Sequence, residues 1–560
     1  MRAFVFLLLL LVSARVVQGE PVSLQNQVIG KKTTARQHAP DSVLAAQLRC
    51  HFQAMDSNAA GPERRAFNNQ LARFYAARNY RPVWTERADI AELIEAIGES
   101  ENDGLIPDDY HIKEIRTFFL SPPRTPELQA KYDLLLSDAL LSLAYHLRFG
   151  KVDPESLDPN WNLDGTSRRT ALEYRLQNAL AAGRPKAALD ELRPKHSGYA
   201  ELKKGLARYR VIARAGGWQK VPEGDSFREG VRDSRVPLLR KRLQQSGDLP
   251  GGVTDSSKVY TAAMANAVKR FQKRNGLAVD GVAGTATIGE INISAAERVD
   301  QIRLNLERYR WFVNDLEPTY VLVNIAGFTL QYIENGRYRW GTRVIVGQPY
   351  RETPVFKADM QYIVFNPQWV IPPTILAEDA LPAIRNSRSY LDRKKLRVID
   401  SRGRVVDPAS VNWSGYSAAN FPYRLQQTAG DHGALGRIKF MMPNKHVIYL
   451  HDTPTKNLFE KSERTFSSGC IRVENPLDLA QLVLQDSVKW NKTSIDSTIG
   501  TGKTSTVNLP KRIPVFLLYL TAIAEGEEIQ FRRDVYNRDD RLRKALDSPV
   551  PQYRIESCGL

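Results

Sequence analysis

Cysteine is scarce: the 560 residues hold only Cys50, Cys470 and Cys558, too few for a disulfide framework and odd in number. At least one thiol is therefore unpaired or shared between molecules. The eight histidines are scattered, and no His-x-x-x-His or paired-cysteine spacing occurs, so the sequence gives no basis for a metal site or a cofactor. No apolar run approaches the ~20 residues needed to span a bilayer, which excludes a polytopic membrane protein. With 42% apolar and 25% charged residues, collagen-like and largely disordered chains are excluded as well. Acidic residues are the minority, 62 against 79 basic ones, for a net charge of +17. That balance favours an acidic partner: nucleic acid, anionic lipid or an acidic cell-wall polymer. At ~150 residues per domain the length predicts three or four domains.

The first residues select among those partners. Arg2 precedes the apolar run Phe4 to Val12, and Val17-Gln18-Gly19 ends on a small residue. This reads as a signal peptide over 1–19, cleaved after Gly19. Arg15 and the shortness of the run argue against a stable membrane anchor, and no cysteine follows it to carry a lipid. An exported protein meets neither cytosolic nucleic acid nor ATP, so an acidic envelope polymer becomes the leading partner. An exported thiol also risks oxidation, which makes the leftover cysteine a candidate for chemistry.

The fold class expected is multidomain α+β. A polar segment over 20–40 precedes a mainly helical scaffold over 41–222, with periodicity clearest at Leu135, Leu136, Ala139, Leu143 and Leu147. Gly224 and Gly230 lie in a charged stretch that marks a boundary. Over 235–293, Leu239 and Leu243 predict one short helix, Met264, Val268 and Phe271 a second, and Thr285 to Ile291 a third. The wording Val268-Lys269-Arg270-Phe271-Gln272 through Asn275-Gly276 to Gly284 resembles the peptidoglycan-binding module of cell-wall enzymes. Ser294 and Glu297 have capping-box spacing and open a connecting helix over 294–313.

A mostly β domain is expected over 319–540. Tyr320 to Ile333 is rich in β-branched and aromatic residues, and Asn335-Gly336 signals a hairpin whose return strand carries Trp340, Thr342, Val344 and Val346. Gln361 to Phe365, Lys445 to Leu450 and Ile513 to Leu520 read as further strands. The polar, proline-containing stretch 372–421 reads as a lid-like insertion, and 541–560 as a C-terminal tail. Gly500-Thr501-Gly502-Lys503-Thr504 imitates a phosphate-binding loop, but Ser497 stands where its first glycine is required, so a flexible surface loop is expected.

Cys50 and Cys558 lie in unmarked surroundings. Cys470 sits in Ser467-Ser468-Gly469-Cys470-Ile471-Arg472-Val473-Glu474-Asn475-Pro476, where small residues let backbone N–H groups approach a reacting carbonyl. Asn475-Pro476 opens a helix to Leu484, which places the thiol just before a helix start. A free thiol with a pKa near ~8.5 needs a base or a positive charge to act as a nucleophile. Arg472 and His451, nineteen residues before Cys470, can supply both. Tyr449 shares the face of His451 by strand alternation, whereas His446 has opposite parity and His432 no marked context.

The pattern Tyr449-x-His451, fifteen residues, then Ser-Ser-Gly-Cys-x-Arg-x-x-Asn closely resembles the signature of the L,D-transpeptidase (YkuD-type) catalytic domain. The resemblance extends over Tyr320 to about Asp540 and includes Asn366-Pro367-x-Trp369 and Gly436-Arg437-Ile438-Lys439-Phe440. The order of helical region, binding module and catalytic domain is similar to the large periplasmic members. Ser468 stands where many members have histidine, as it tends to in that branch.

The resemblance implies that Cys470 attacks a tetrapeptide stem and expels D-Ala, and that a diaminopimelate amine of a neighbouring stem then resolves the thioester into a 3→3 cross-link. It makes His451 the proton carrier, oriented by a backbone carbonyl near Asp452. Gly469, Cys470 and Tyr449 would supply oxyanion donors, Arg472 would brace the loop or hold a stem carboxylate, and Ser468 and Trp369 would line the groove. It also implies a carbapenem-sensitive thiol, and it leaves open water or a protein lysine as acceptor and other cell-wall synthesis proteins as partners; the alternative of another class is a non-catalytic wall-binding scaffold in which Cys470 is structural.

Overall fold

The long periodic segment of the scaffold forms one helix, Pro126–Phe149, whose first turn is capped by Thr125 accepting from the Leu128 amide at 3.4 Å. Leu135, Leu136, Ala139, Leu143 and Leu147 are buried in it against helices on either side. The computed structural model describes residues 43–54, 62–158, 161–163, 172–251 and 256–550. The leader, the polar segment over 20–40 and Cys558 lie outside the described residues. Among the described residues no helix is long and apolar enough to cross a membrane.

The three short helices of the next unit are Val236–Gln245, Ala262–Arg274 and Thr285–Ile291. They bury Leu239, Leu243, Met264, Val268 and Phe271 with Phe227 and Tyr260 in a core of their own. Ser294 and Glu297 make the reciprocal capping box that opens Ala295–Phe312. That helix is more than a connector: Arg310 and Glu307 are fully buried in it and pair with each other. Glu307 accepts from the Val152 amide at 2.7 Å, and Arg310 donates to the Asp103 carbonyl at 2.8 Å and the Tyr199 hydroxyl at 2.9 Å. Burying an ion pair is tolerable only when most of its remaining polar groups are satisfied; here all but Arg310 Nε find a partner, and the scaffold is thereby locked to the rest. The helix Ser197–Arg214, expected with the scaffold, shares the core of the β domain through Leu202 and Leu206.

The β domain contains β1 (Tyr320–Asn324), β2 (Thr329–Glu334), β3 (Arg337–Gly347), β4 (Phe356–Phe365), β5 (Trp369–Val370), β6 (Leu396–Ile399), β7 (Val405–Val406) and β8 (Arg424–Gln427). It continues with β9 (Ile438–Met441), β10 (Leu450–His451), β11 (Thr465–Ser467), β12 (Ile471–Val473), β13 (Ser505–Leu518), β14 (Ala522–Glu525) and β15 (Glu528–Phe531). The main sheet runs β11-β3-β12-β10-β9-β4-β13-β1-β2, and β2 also pairs with β3, which closes the order on itself. Val323, Leu330, Val344, Ile363, Phe440, Leu450, Ile471 and Val515 fill the interior.

Four local expectations are corrected. Lys445 to Leu450 is not a strand: Asn444 accepts from the His446 and Ile448 amides at 3.0 and 3.2 Å and holds a turn, so pairing begins only at Leu450. The insertion is not merely polar, since its Leu381, Ile384, Val398 and Trp413 form, with the flanking Ile371 and Leu425, a separate core beneath the sheet β5-β8-β6-β7. The tail begins later than expected, because Asp539–Asp547 is a helix whose Leu542 and Leu546 are buried. The stretch Gly500 to Thr504 is a tethered turn, with Asn366 donating to the Lys503 carbonyl at 3.2 Å and Thr504 to the Asn366 carbonyl at 2.7 Å.

Candidate active site

β10 and β12 are parallel neighbours with Leu450 opposite Ile471 and His451 opposite Arg472. Leu450 and Ile471 point into the core, so His451 and Arg472 share the other face. One alternation earlier the same face carries Tyr449, whose ring lies 5.7 Å from that of His451, beside Cys470. The Ile471 amide donates to the Tyr449 carbonyl at 3.1 Å and fixes this register. Cys470 therefore precedes a strand. The helix Pro476–Leu484 starts only after β12, so the thiol does not sit at a helix start as its sequence context suggests.

The loop before Cys470 is held by its own side chains. Gly469 has φ +113°, a conformation costly for any residue with a Cβ. Ser467 Oγ accepts from the Gly469 amide at 3.1 Å and donates to the Cys470 carbonyl at 2.6 Å, while Thr353 Oγ donates to the Gly469 carbonyl at 2.8 Å. Thr353 escaped the sequence reading because it lies far upstream; Ser467 stood inside the quoted motif but was given no role. The thiol donates to the Val447 carbonyl at 3.8 Å and lies beside Tyr449. Burial pushes it up, and Tyr449, Lys439 and Arg472 pull the other way.

His451 Nδ1 lies 2.5 Å from the Asp452 carbonyl oxygen. A carbonyl only accepts, so Nδ1 carries the proton and Nε2 is the basic nitrogen. Burial, then the Arg472 cation, depress the imidazole pKa to about 3, partly offset by the Asp452 hydrogen bond. The Asp452 carboxylate is occupied by Lys456 at 2.5 Å and by the Arg437 amide at 2.9 Å. Gly436, at φ +58°, is required here because a Cβ would stand 2.3 Å from Asp452 Oδ2.

Trp369, at the start of β5, faces the Tyr449 hydroxyl and so brings the insertion to the site. Ser468 is exposed and accepts from Arg351 at 3.3 Å, and Arg351 pairs with Glu378 at 2.6 Å and Asp379 at 2.7 Å in the insertion. Among the described residues the Arg472 guanidinium donates only to Thr455, at 3.5 Å. His446 packs on Phe356 at 5.0 Å, away from the thiol, because of the turn and not because of strand parity. His432 lines a polar cavity of about 600 Å³ beyond Asp452. Cys50 is disulfide-bonded, and Cys470 carries a free thiol. Among the described residues no group of three His, Cys, Asp or Glu side chains is arranged to hold a metal ion.

A half-buried thiol, a neutral imidazole with one nitrogen committed and a strained glycine loop together can form and resolve an acyl-thiol. Residues 318–507 match the family model of the L,D-transpeptidase catalytic domain. The chain carries an L,D-transpeptidase catalytic domain. Ahead of this domain, residues 232–291 match a model described as "Putative peptidoglycan binding domain" and residues 69–206 one described as "Scaffold domain". A curated relative from Haemophilus influenzae (strain Rd), "Putative L,D-transpeptidase", is 39% identical over 225 residues, 40% of this chain and 45% of the relative. The chain thus spans less than half the length of that relative. A solved L,D-transpeptidase from Mycobacterium smegmatis aligns at 11% identity over 36% of this chain and 58% of its own, with TM-score 0.18. One from Stackebrandtia nassauensis aligns at 14% identity over 53% and 96%, with TM-score 0.20.

Proposed function

We propose that the protein is an exported L,D-transpeptidase of the Gram-negative periplasm that forms 3→3 peptidoglycan cross-links through a thioester on Cys470. In this reading His451 Nε2 takes the thiol proton as sulfur attacks the carbonyl of the third stem residue in a tetrapeptide donor. The tetrahedral intermediate collapses, the C–N bond breaks, and His451 returns the proton to the departing D-Ala amine. The D-centre amine of diaminopimelate in a second stem then attacks the thioester; His451 removes its proton and returns it to the sulfur as the C–S bond breaks.

Each step has a residue of the site to carry it. The Cys470 amide and the Tyr449 hydroxyl are the oxyanion donors, each worth ~3 kcal/mol in such sites, while the Gly469 amide is committed to Ser467 and shapes the loop. Ser468 and Trp369 line the groove, and the three-helix unit carries the domain to the wall. No metal or cofactor takes part in these steps. The single observation that carries the reading is the parallel pairing that sets Tyr449 beside Cys470 and His451 beside Arg472, with His451 Nδ1 already committed to Asp452.

Incubating the protein with disaccharide-tetrapeptide and weighing the products tests it. A cross-linked dimer is the expected outcome. Tripeptide alone means water is the acceptor, and unreacted donor overturns the reading.

A further inference from the structure

His451 stands in the middle of a row that crosses three strands. Lys439 on β9 is its antiparallel partner on one side, and Arg472 on β12 its parallel partner on the other. The neighbours of Lys439, Ile438 and Phe440, are buried in the core, so Lys439 shares the outward face with His451 and Arg472. Its ammonium lies 3.9 Å from the centre of the Tyr449 ring, the same ring that adjoins Cys470. Two cations thus flank the base on one surface.

Neither cation has an acidic partner. Lys439 and Arg472 form no ion pair with a carboxylate among the described residues, and the only group drawing either toward its charged form is Cys470. Asp452, next to His451, is taken by Lys456 and the Arg437 amide, and Glu474, two residues after Arg472, pairs with Arg343. Burial lowers both cations from their ordinary values, so the arrangement costs folding free energy, and among the described residues only the Tyr449 ring, Thr455 and the thiol, and no carboxylate, offset it. Such uncompensated charge at a reaction centre is the electrostatic counterpart of a missing anion.

We infer that Lys439 and Arg472 form a carboxylate-binding fork astride His451, and that Lys439 is the residue by which this site requires an α-amino carboxylate on the departing and attacking amines. The inference rests on the proposed function. The departing group there is D-Ala, and the attacking group is the D-centre of diaminopimelate. Each carries amine and carboxylate on one carbon. Whichever amine exchanges a proton with His451 therefore brings a carboxylate within reach of the cations on either side. One fork serves both half-reactions, and a protein lysine, whose amine carries no carboxylate on the same carbon, is disfavoured as acceptor.

The test compares a tetrapeptide donor ending in D-Ala with the same donor ending in D-alaninamide, in the full-length protein and its Lys439→Met and Lys439→Arg variants. A charge-assisted contact contributes roughly tenfold or more to kcat/KM. The wild type is expected to favour the acid by about that factor, K439M to lose most of the preference, and K439R to keep it. A second readout needs no turnover: N-acetyl-D-alanine, but not its amide, should protect Cys470 from alkylation by iodoacetamide, and K439M should abolish the difference.

An equal loss on both donors in K439M, with the acid preference retained, would make Lys439 a structural residue and overturn the inference. Turnover of acid and amide alike by the wild type would overturn it while leaving the proposed function standing. Selective protection by the acid in a protein that turns over neither donor would uphold the fork and sink the proposed function.

Discussion

At the scale of single residues the chemistry depends on one sulfur and one nitrogen. Replacing Cys470 by Ala removes the only group that can form the thioester, so acyl transfer should fall to background while circular dichroism and wall binding stay unchanged. A carbapenem should leave its mass on a peptide containing Ser468 to Arg472 in the wild type and none in the variant; an adduct elsewhere would count against the site. The imidazole makes a prediction about pH. Burial, Arg472, Lys439 and Lys456 hold His451 near 3 against the pull of the Asp452 carbonyl, so the neutral base persists well below the ordinary histidine value of ~6.5. The acid limb of kcat/KM should accordingly lie below about pH 5, and Arg472→Met should move it upward. A limb at 6.5 in the wild type would mean that the imidazole is solvated.

At the scale of elements the site depends on turns that admit no side chain. Gly436 lies against the Asp452 carboxylate, and the carbonyl of Asp452 holds His451. Gly436→Ala adds a left-handed penalty of about 1–2 kcal/mol and pushes Asp452 away. The expected result is a lower Tm together with a loss in kcat of roughly tenfold or more, because a displacement near 1 Å at a base is felt strongly. A variant with reduced Tm but full kcat would show that Asp452 does not position the imidazole. Strand content explains why parts of this were legible and parts were not. The Asn335-Gly336 turn, the capping box at Ser294 and the helix Thr285–Ile291 are local features, and each stands where the residue pattern placed it. Lys445 to Leu450 has strand-like residues, yet the Asn444 side chain bonds the backbone first and diverts it into a turn.

At the scale of the whole molecule three units converge on the helix Ala295–Phe312. The three-helix bundle is docked on the β14–β15 hairpin through Arg532, which donates to the Arg274 carbonyl at 2.9 Å, and on that helix through the buried Arg298–Glu290 pair. With an excess of basic residues facing an acidic polymer, binding to isolated sacculi should weaken as salt shortens the ~8 Å Debye length of physiological buffer. Turnover of a small soluble donor should respond far less. Deleting Val236 to Ile293 should separate the two activities in the same sense, with folding checked by circular dichroism because Arg298 loses its partner. Unchanged sacculus binding with collapsed turnover would make the bundle a brace for the catalytic domain.

What the sequence determined by itself was local or carried by residue identity: the order of the units, the strand and helix periods, and the one cysteine with a histidine and arginine at suggestive spacing. Tertiary structure decided which strands lie side by side. Nineteen residues separate His451 from Cys470, and only the parallel register of β10 on β12 brings their faces together. Lys439 is invisible as a site residue until β9 is known to pair with β10, because cross-strand neighbours are chosen by which apolar faces close the common core. The insertion's own core was hidden for the same reason: its apolar residues are dispersed among polar ones and meet only when β5, β6 and β8 pair. Local pattern is set by backbone geometry within a few residues, whereas register is set by burial summed over the whole domain.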